Sequence, residues 1–429
     1  MVGIGAAPEA IETDPIMYDY LFEASWVDVD IDTIGLHTHG INADSTSPVS
    51  GQQSTSAVVR KENAAPPDED MIAWVRGWAM RRYASYGQDV PSELVDGWQA
   101  LYQLGPYASS VIQQGPSGSI VAKDPGLNIT RLSCCAPALP VGSVQVMLDV
   151  WKSIINIDPT SPIASKSTYL HDVADFGTQV LSNLAYGLQD ELYHAVNTSN
   201  VTQLQIIAQE FLQIIKDIDT LASTQDQRLL GQWIQSARAT AVTTPERPIP
   251  STGASVVNAK PIYHTEYTNF DLDSFASSRT CDDAPAMNCG YGGINQSVCE
   301  GMGCCWNPVP NTPSCRMPVH QVEADQLEWN ARTQITLWST AGSGLNEYSY
   351  RLWGGLVGDY YYTRWQRWFD SVGSALQRGE VYDDKLAGAI ADELKSYDQA
   401  WCLSTSGNYS TVPAGNVVVK AQEIYRRYF

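Results

Sequence analysis

Residues 204–221 read LQIIAQEFLQIIKDIDTL. Leu204, Ile207, Phe211, Ile214, Ile218 and Leu221 recur at intervals of three and four, so in a helix they share one face. As a strand, the same residues would scatter over both faces. The segment is therefore a helix with one apolar stripe, and that stripe needs apolar partners. Working outward, Val173, Phe176, Val180, Leu181, Leu184, Leu188 and Leu192 repeat the pattern over about five turns. Leu229, Leu230, Trp233, Ile234 and Ala237 make a further stripe, and Met71, Trp74, Trp78 and Met80 suggest a helix with an aromatic face ahead of Arg81-Arg82-Tyr83. Helical periodicity resumes near Ala324 and holds, with gaps, almost to Phe429. The fold class is mainly α, dominated by one large all-helical domain.

The composition narrows the function classes. In 429 residues, 26 basic side chains face 47 acidic ones for a net charge of −21, which argues against a nucleic-acid partner. No apolar run approaches the ~20 residues of a membrane span. Thirteen Trp and 22 Tyr suit a core, but also surfaces that stack on sugar rings.

The N-terminal stretch differs from the rest. VGIGAAPE at 2–9 reads as a short buried strand ending in a loop that carries Glu9. Asp14-Pro15 then opens a helix with Met17, Leu21 and Phe22 inward. Residues 31–68, rich in Ser, Thr, Gly and Pro, read as a flexible insertion, and 243–280 as a linker. His37 and His39 lie inside that insertion and are not read as a metal site; no metal is expected.

Six of the nine cysteines fall between 281 and 315, a density that belongs to an oxidising compartment. Sequons at Asn128, Asn197, Asn200, Asn295 and Asn408 agree with secretory routing as glycosylation sites. Yet residues 1–20 have no basic n-region and carry Glu9, Glu12 and Asp14, so they are not a signal peptide. The expectation is that the signal lies upstream of Met1 and that the protein is lysosomal or extracellular.

The cysteine run is C-x7-C-x9-C-x4-C-C-x9-C, with Gly303, Cys304, Cys305 and Trp306 at its centre. It resembles a trefoil (P-type) domain over 281–318. The resemblance implies bridges Cys281–Cys305, Cys289–Cys304 and Cys299–Cys315. A module of that size buries too little surface to hold itself without bridges. A Cys-only zinc site is disfavoured, because C-x2-C pairs are absent. The chain departs from the trefoil pattern at Ala286, Met287 and Asn288, where an Arg is usual, and at Ser314, where a Trp is usual. A structural or docking role is favoured over glycan capture.

Outside the trefoil and the insertion, dispersed words appear in a fixed order. MVGIGAAPEAI at 1–11 is followed by Ala73-Trp74-Val75 with Arg81-Arg82-Tyr83, then Leu229-Leu230-Gly231 with Trp233. Asn330-Ala331-Arg332 with Gln334 to Trp338 comes next, then Gly355-Leu356, Asp359-Tyr360-Tyr361 and Arg364-Trp365. Together they resemble the C-terminal part of the α-N-acetylglucosaminidase family, family 89 of the glycoside hydrolases. The resemblance implies that 1–30 is the final segment of a (β/α)8 barrel, and that 69–242 and 319–429 form the helical domain. The trefoil is then an insertion.

Under that resemblance Glu9 is the catalytic nucleophile, with the acid/base on a barrel segment upstream of this chain. Read without it, Glu9 is a surface carboxylate preceding a helix. Glu12 is a solvated helix-start carboxylate. Tyr18, Trp338, Leu345 and Tyr348 are implied to line the sugar subsite, with one extra residue between Trp338 and Tyr348 relative to the family. Arg332 is read as an ion-pair or pocket-support residue. The implied activity is retaining, exo-acting and cofactor-free removal of terminal α-linked N-acetylglucosamine from heparan-type glycosaminoglycans or glycoconjugates, with the 429-residue chain inactive alone. The upstream barrel domain of the same protein is an expected partner, and self-association is left open. The competing reading is a non-catalytic module that binds glycans or a protein.

Overall fold

The computed structural model describes residues 69–84, 89–104, 119–127, 129, 141–241, 279–281, 295–301, 305–310, 314–316, 319–320, 323–340, 351–405 and 408–429, together with Ile16 and Asp19. The chain divides into two compact units, Met1–Glu9 with Thr13–Trp74, and Ala10–Glu12 with Val75–Phe429. Of the first unit only Ile16, which is buried, Asp19 and residues 69–74 are described. The expected barrel remnant, the insertion and the linker up to residue 278 lie outside the described residues.

The second unit is helical, as its periodicity predicts. Its described helices, with the first one starting in the other unit, are α1 (Glu69–Tyr83), α2 (Ser92–Leu104), α3 (Val141–Ile154), α4 (Ser167–Gly187), α5 (Gln189–Asn197), α6 (Val201–Ala222) and α7 (Leu230–Ala239). After these come α8 (Gln296–Gly301) in the trefoil, α9 (Glu323–Thr340), α10 (Tyr362–Gln377), α11 (Asp384–Leu403) and α12 (Val417–Tyr428). The central element is α6. It packs against α4, α5, α10 and α12, and its predicted stripe is buried from Leu204 to Leu221.

The stripe on α10 comprises Trp365, Trp368, Phe369, Val372 and Leu376, all buried. Phe211 of α6 meets Trp365 with ring centroids 4.3 Å apart, and Phe369 and Trp368 close around the same ring. The buried Trp365 indole N–H donates to the Val121 carbonyl at 3.0 Å, so this large ring enters the core without an orphaned donor. Gly379, at φ +79°, ends α10. Its N–H bonds to the Leu376 carbonyl, and the Glu380 N–H reaches back to that of Ala375, both at 3.0 Å. This is a Schellman turn, which a glycine enters without a Cβ penalty.

Two sequence expectations need correction, and one pair of helices is not read from the sequence. The stripe from Val173 to Leu192 is two helices, because the chain breaks at Leu188, whose N–H bonds back to Ala185 and Tyr186 while Gln189 starts α5. A 3.6-residue period survives such a break, so periodicity alone does not show it. Met80, grouped with the aromatic face of α1, is 50% exposed, whereas Val75, Trp78, Ala79 and Tyr83 are buried. Finally, α2 and α3 were not singled out from the sequence, although they pack closely on each other.

In the trefoil, bridges Cys281–Cys305 and Cys299–Cys315 are present. Cys289 and Cys304, the expected third pair, lie outside the described residues, as do Cys134 and Cys135. Cys402 is a buried free thiol. Two antiparallel ribbons frame the module. Cys305–Trp306 (β2) pairs with Cys315–Arg316 (β3), and Arg279–Thr280 (β1) pairs with Val319–His320 (β4), so the pairing extends just beyond the cysteines at both ends. No described helix is long and apolar enough to cross a membrane.

A close approach tests the packing around α6. A Cβ on Gly177 of α4 would lie 2.7 Å from Leu221 Cδ1 and 2.8 Å from Trp151 Cζ2. Gly177→Ala should therefore destabilise the fold by about 1–3 kcal/mol through overpacking, despite the better helix propensity of alanine. Urea unfolding should show a lowered midpoint at unchanged m-value, and an unchanged midpoint would refute the close packing.

Candidate functional site

A polar seam crosses the helical domain where α9, α11 and a short π-helical segment, Leu356–Tyr361, converge. The sequence enters this segment through Gly354 and Gly355. Gly354 bridges to the strand-like Leu229, and a Cβ there would fall 2.3 Å from Ser223 Oγ. Gly355 takes φ +87°, which glycine tolerates and most residues do not. Asp219, in the last turn of α6, then accepts the N–H groups of Gly355 and Gly358 on one carboxylate oxygen, each at 2.8 Å. A side chain on Gly358 would collide with that carboxylate at 2.6 Å. Three glycines and one aspartate thus hold the wide turn in place. π-Helical turns concentrate at functional sites because they displace side chains from ordinary helical register.

The register shift brings Asp359 into the seam. Its Oδ2 accepts the Trp401 indole N–H at 2.9 Å and the Tyr409 hydroxyl. Burial and the adjacent Asp359 charge drive the Tyr409 hydroxyl well above its ordinary pKa, so it stays a donor. Arg332 of α9 lies over the Trp401 and Tyr409 rings, 4.6 and 5.3 Å from their centroids. It donates to Glu328 at 2.7 and 3.1 Å and to the Trp401 carbonyl at 3.2 Å. Glu328 also accepts Arg238 of α7 at 2.8 Å. This buried Arg–Glu–Arg triad fixes α9 against α7 and α11; removing one partner of such a set commonly costs about 3–5 kcal/mol.

A second buried pair lies beside it. Arg364 Nε is 2.9 Å from Asp398 Oδ1, and the same guanidinium reaches Asp124. Burial pushes the Asp398 carboxyl up to about 6 although Arg364 opposes the shift. Asp219 is likewise raised to about 6, by burial of its carboxylate and by Asp359, against the pull of the two glycine N–H groups. Protein donors engage one carboxylate oxygen of Asp219, one of Asp359 and both of Glu328. The seam holds backbone and rings in place.

Trp338 lies in the last turn of α9, six residues beyond Arg332, or about 9 Å along the axis. The side chain of Trp338 and all of Glu9, Tyr18, Leu345 and Tyr348 lie outside the described residues. The segment that carries Leu345 and Tyr348 runs between two anchored points, the end of α9 and the clamped Gly354–Gly355 turn. Of the expected glycosylation sites, Asn197, Asn200, Asn295 and Asn408 are exposed, and Asn128 lies outside the described residues. No cluster of metal-ligating side chains occurs among the described residues. The sequence reading missed Asp219, Tyr409 and Asp398. A signal existed for Asp219, since an acidic residue in a helix's last turn opposes the macrodipole and calls for a compensating partner.

Comparison with known proteins follows the same outline. Residues 74–262 and 315–427 match the family model described as the α-N-acetylglucosaminidase (NAGLU) C-terminal domain. The chain belongs to this family. Residues 281–317 match the trefoil (P-type) domain, so the trefoil interrupts the family domain. Human α-N-acetylglucosaminidase is 20% identical over 433 residues, a match that covers 100% of this chain and 40% of the relative. The chain therefore spans two-fifths of that relative's length. Among solved structures, a doubly substituted family 89 enzyme from Clostridium perfringens, in complex with its substrate GlcNAc-α-1,4-galactose, superposes with a TM-score of 0.62 at 20% identity. That match covers 99% of this chain and 35% of the other. The family 89 glycoside hydrolase from the same organism in complex with PUGNAc gives 0.56 at 19% identity, over 83% and 31%.

The Asp219 clamp predicts a pH dependence. A carboxyl raised in the folded chain keeps a proton that the unfolded chain has already released, so its contribution is full below the unfolded value of about 4 and is lost as pH rises through about 6. Asp219→Asn keeps an oxygen for both glycine N–H groups and removes the charge. The variant should be more stable than the parent by about 1–3 kcal/mol at pH 8, with the gain vanishing below pH 4. Urea titrations at the two pH values decide it, and an equal difference at both would remove the clamp's titration from the account.

Proposed function

We propose that this chain is the C-terminal part of a retaining exo-glycosidase that removes terminal α-linked N-acetylglucosamine. The observation that carries the reading is the family match on both sides of the trefoil, joined to a superposition that spans nearly the whole chain. Glu9 is the nucleophile. Its carboxylate attacks the anomeric carbon while an acid/base on an upstream barrel domain of the same protein protonates the glycosidic oxygen. The glycosyl-enzyme ester is then hydrolysed by a water that the second group deprotonates. Retention asks for the two carboxylates about 5–5.5 Å apart.

The helical domain supplies the wall of the pocket. Tyr18, Trp338, Leu345 and Tyr348 hold the sugar, aromatic rings against pyranose C–H faces and apolar surface against the acetamide. The Arg332 triad and the Asp219 clamp fix the two ends of the segment that presents Leu345 and Tyr348. The chemistry needs no cofactor, since both steps are acid–base-assisted displacements at the anomeric carbon, first by a carboxylate and then by water. The substrate class is heparan-type glycosaminoglycans or other glycoconjugates. Disulfides in the trefoil support a secretory route to the lysosome or the cell exterior.

In the full-length enzyme Glu9→Gln should lower turnover of an aryl α-N-acetylglucosaminide by about 10⁴-fold or more, with an unchanged thermal midpoint, because the amide cannot form the ester. Residues 1–429 alone should be inactive. Turnover retained by Glu9→Gln would reject the nucleophile. Hydrolysis by the 429-residue chain alone would place the second carboxylate within it.

A further inference from the structure

The turn between α5 and α6 carries two consecutive sequons, Asn197-Thr198-Ser199 and Asn200-Val201-Thr202. Residues 197–200 and Thr202 are all exposed. The two asparagines use their amides differently. Asn197, the last residue of α5, donates Nδ2 to the Tyr193 carbonyl at 2.9 Å, which folds its amide back along its own helix. Asn200 is the N-cap of α6, and only its oxygen is engaged: Oδ1 accepts the Gln203 N–H at 3.1 Å. Ser199 takes φ 53°, and the Asn200 backbone N–H bonds back to the Ala195 carbonyl of α5 at 2.8 Å, so the cap backbone is fixed while its side-chain nitrogen is left over.

We infer that Asn200 carries an N-linked glycan and that Asn197 does not. Glycosylation joins sugar to Nδ2 with loss of one amide hydrogen, and the capping oxygen is untouched. A glycosylated Asn200 therefore caps the central helix as well as a bare one. At Asn197 the sugar would instead be carried on the nitrogen that binds the Tyr193 carbonyl, against the last turn of α5. Transfer precedes folding, so the folded structure decides which glycan the native turn accommodates: one on Asn200 leaves the α6 cap intact, whereas one on Asn197 sits on the nitrogen that binds the Tyr193 carbonyl. The inference rests on the secretory routing of the proposed function, but not on the glycosidase chemistry.

The test is occupancy by mass. The chain is directed into the secretory pathway of a eukaryotic host, recovered from both medium and endoplasmic reticulum, and deglycosylated with peptide N-glycosidase in heavy-oxygen water. Each formerly glycosylated Asn then appears as labelled Asp. Label is expected at Asn200 in most molecules and at Asn197 in few. Thr202→Ala should abolish the Asn200 label while the cap remains, and after deglycosylation its thermal midpoint should equal that of the parent. Asn200→Asp should likewise lose the glycan and retain a capping oxygen. Unlabelled Asn200 in folded protein from either fraction, or label at Asn197 in most molecules whether or not Asn200 is labelled, overturns the inference. Occupancy needs no turnover: a failed glycosidase assay leaves it standing, and an active enzyme bare at Asn200 rejects it alone.

Discussion

The burial of α6 on several sides is the constraint on which the helical domain depends. Its apolar stripe meets α4 and α10, and Phe211 is locked against Trp365 within a cluster of aromatic rings. Core rings of this size leave little freedom of placement, because protein interiors pack at crystal-like density. The remaining faces of α6 are then used for polar work. Asp217 accepts Arg427 and the Tyr428 hydroxyl, fastening the C-terminal helix, while Asp219 caps the π-helical turn. One helix thus fixes both the core and the start of the segment that delivers Asp359 to the seam.

The seam follows from that placement. Arg332, Glu328 and Arg238 are buried charges, and such charges persist only with their partners in reach. They register α9 against α7 and α11 to within the length of a hydrogen bond.

The trefoil enters the helical domain by a neighbouring pair of strands. β1 and β4 bring its two ends side by side, and β4 leads directly into α9. An insertion whose ends are adjacent disturbs its host little, since it replaces a short connection without separating the elements on either side. Its bridges make it self-supporting where a core of its own would be too small.

The sequence by itself determined the helical class, the face that α6 buries, and the trefoil cysteines. Each of these is a local pattern: a period of 3.6 or a fixed cysteine spacing is written in consecutive residues. The break at Leu188 escaped it, because two collinear stripes share one period. The family words held Arg332 and Asp359, but not their surroundings. Only the tertiary structure decided that Asp219 receives glycines 136 and 139 residues away, that Tyr409 and Trp401 converge on Asp359, and that Arg364 pairs with Asp398. No local pattern encodes those meetings. A polar residue looks the same in sequence whether it ends in water or in a core, and its role is set by what distant segments bring to it once the apolar faces have closed.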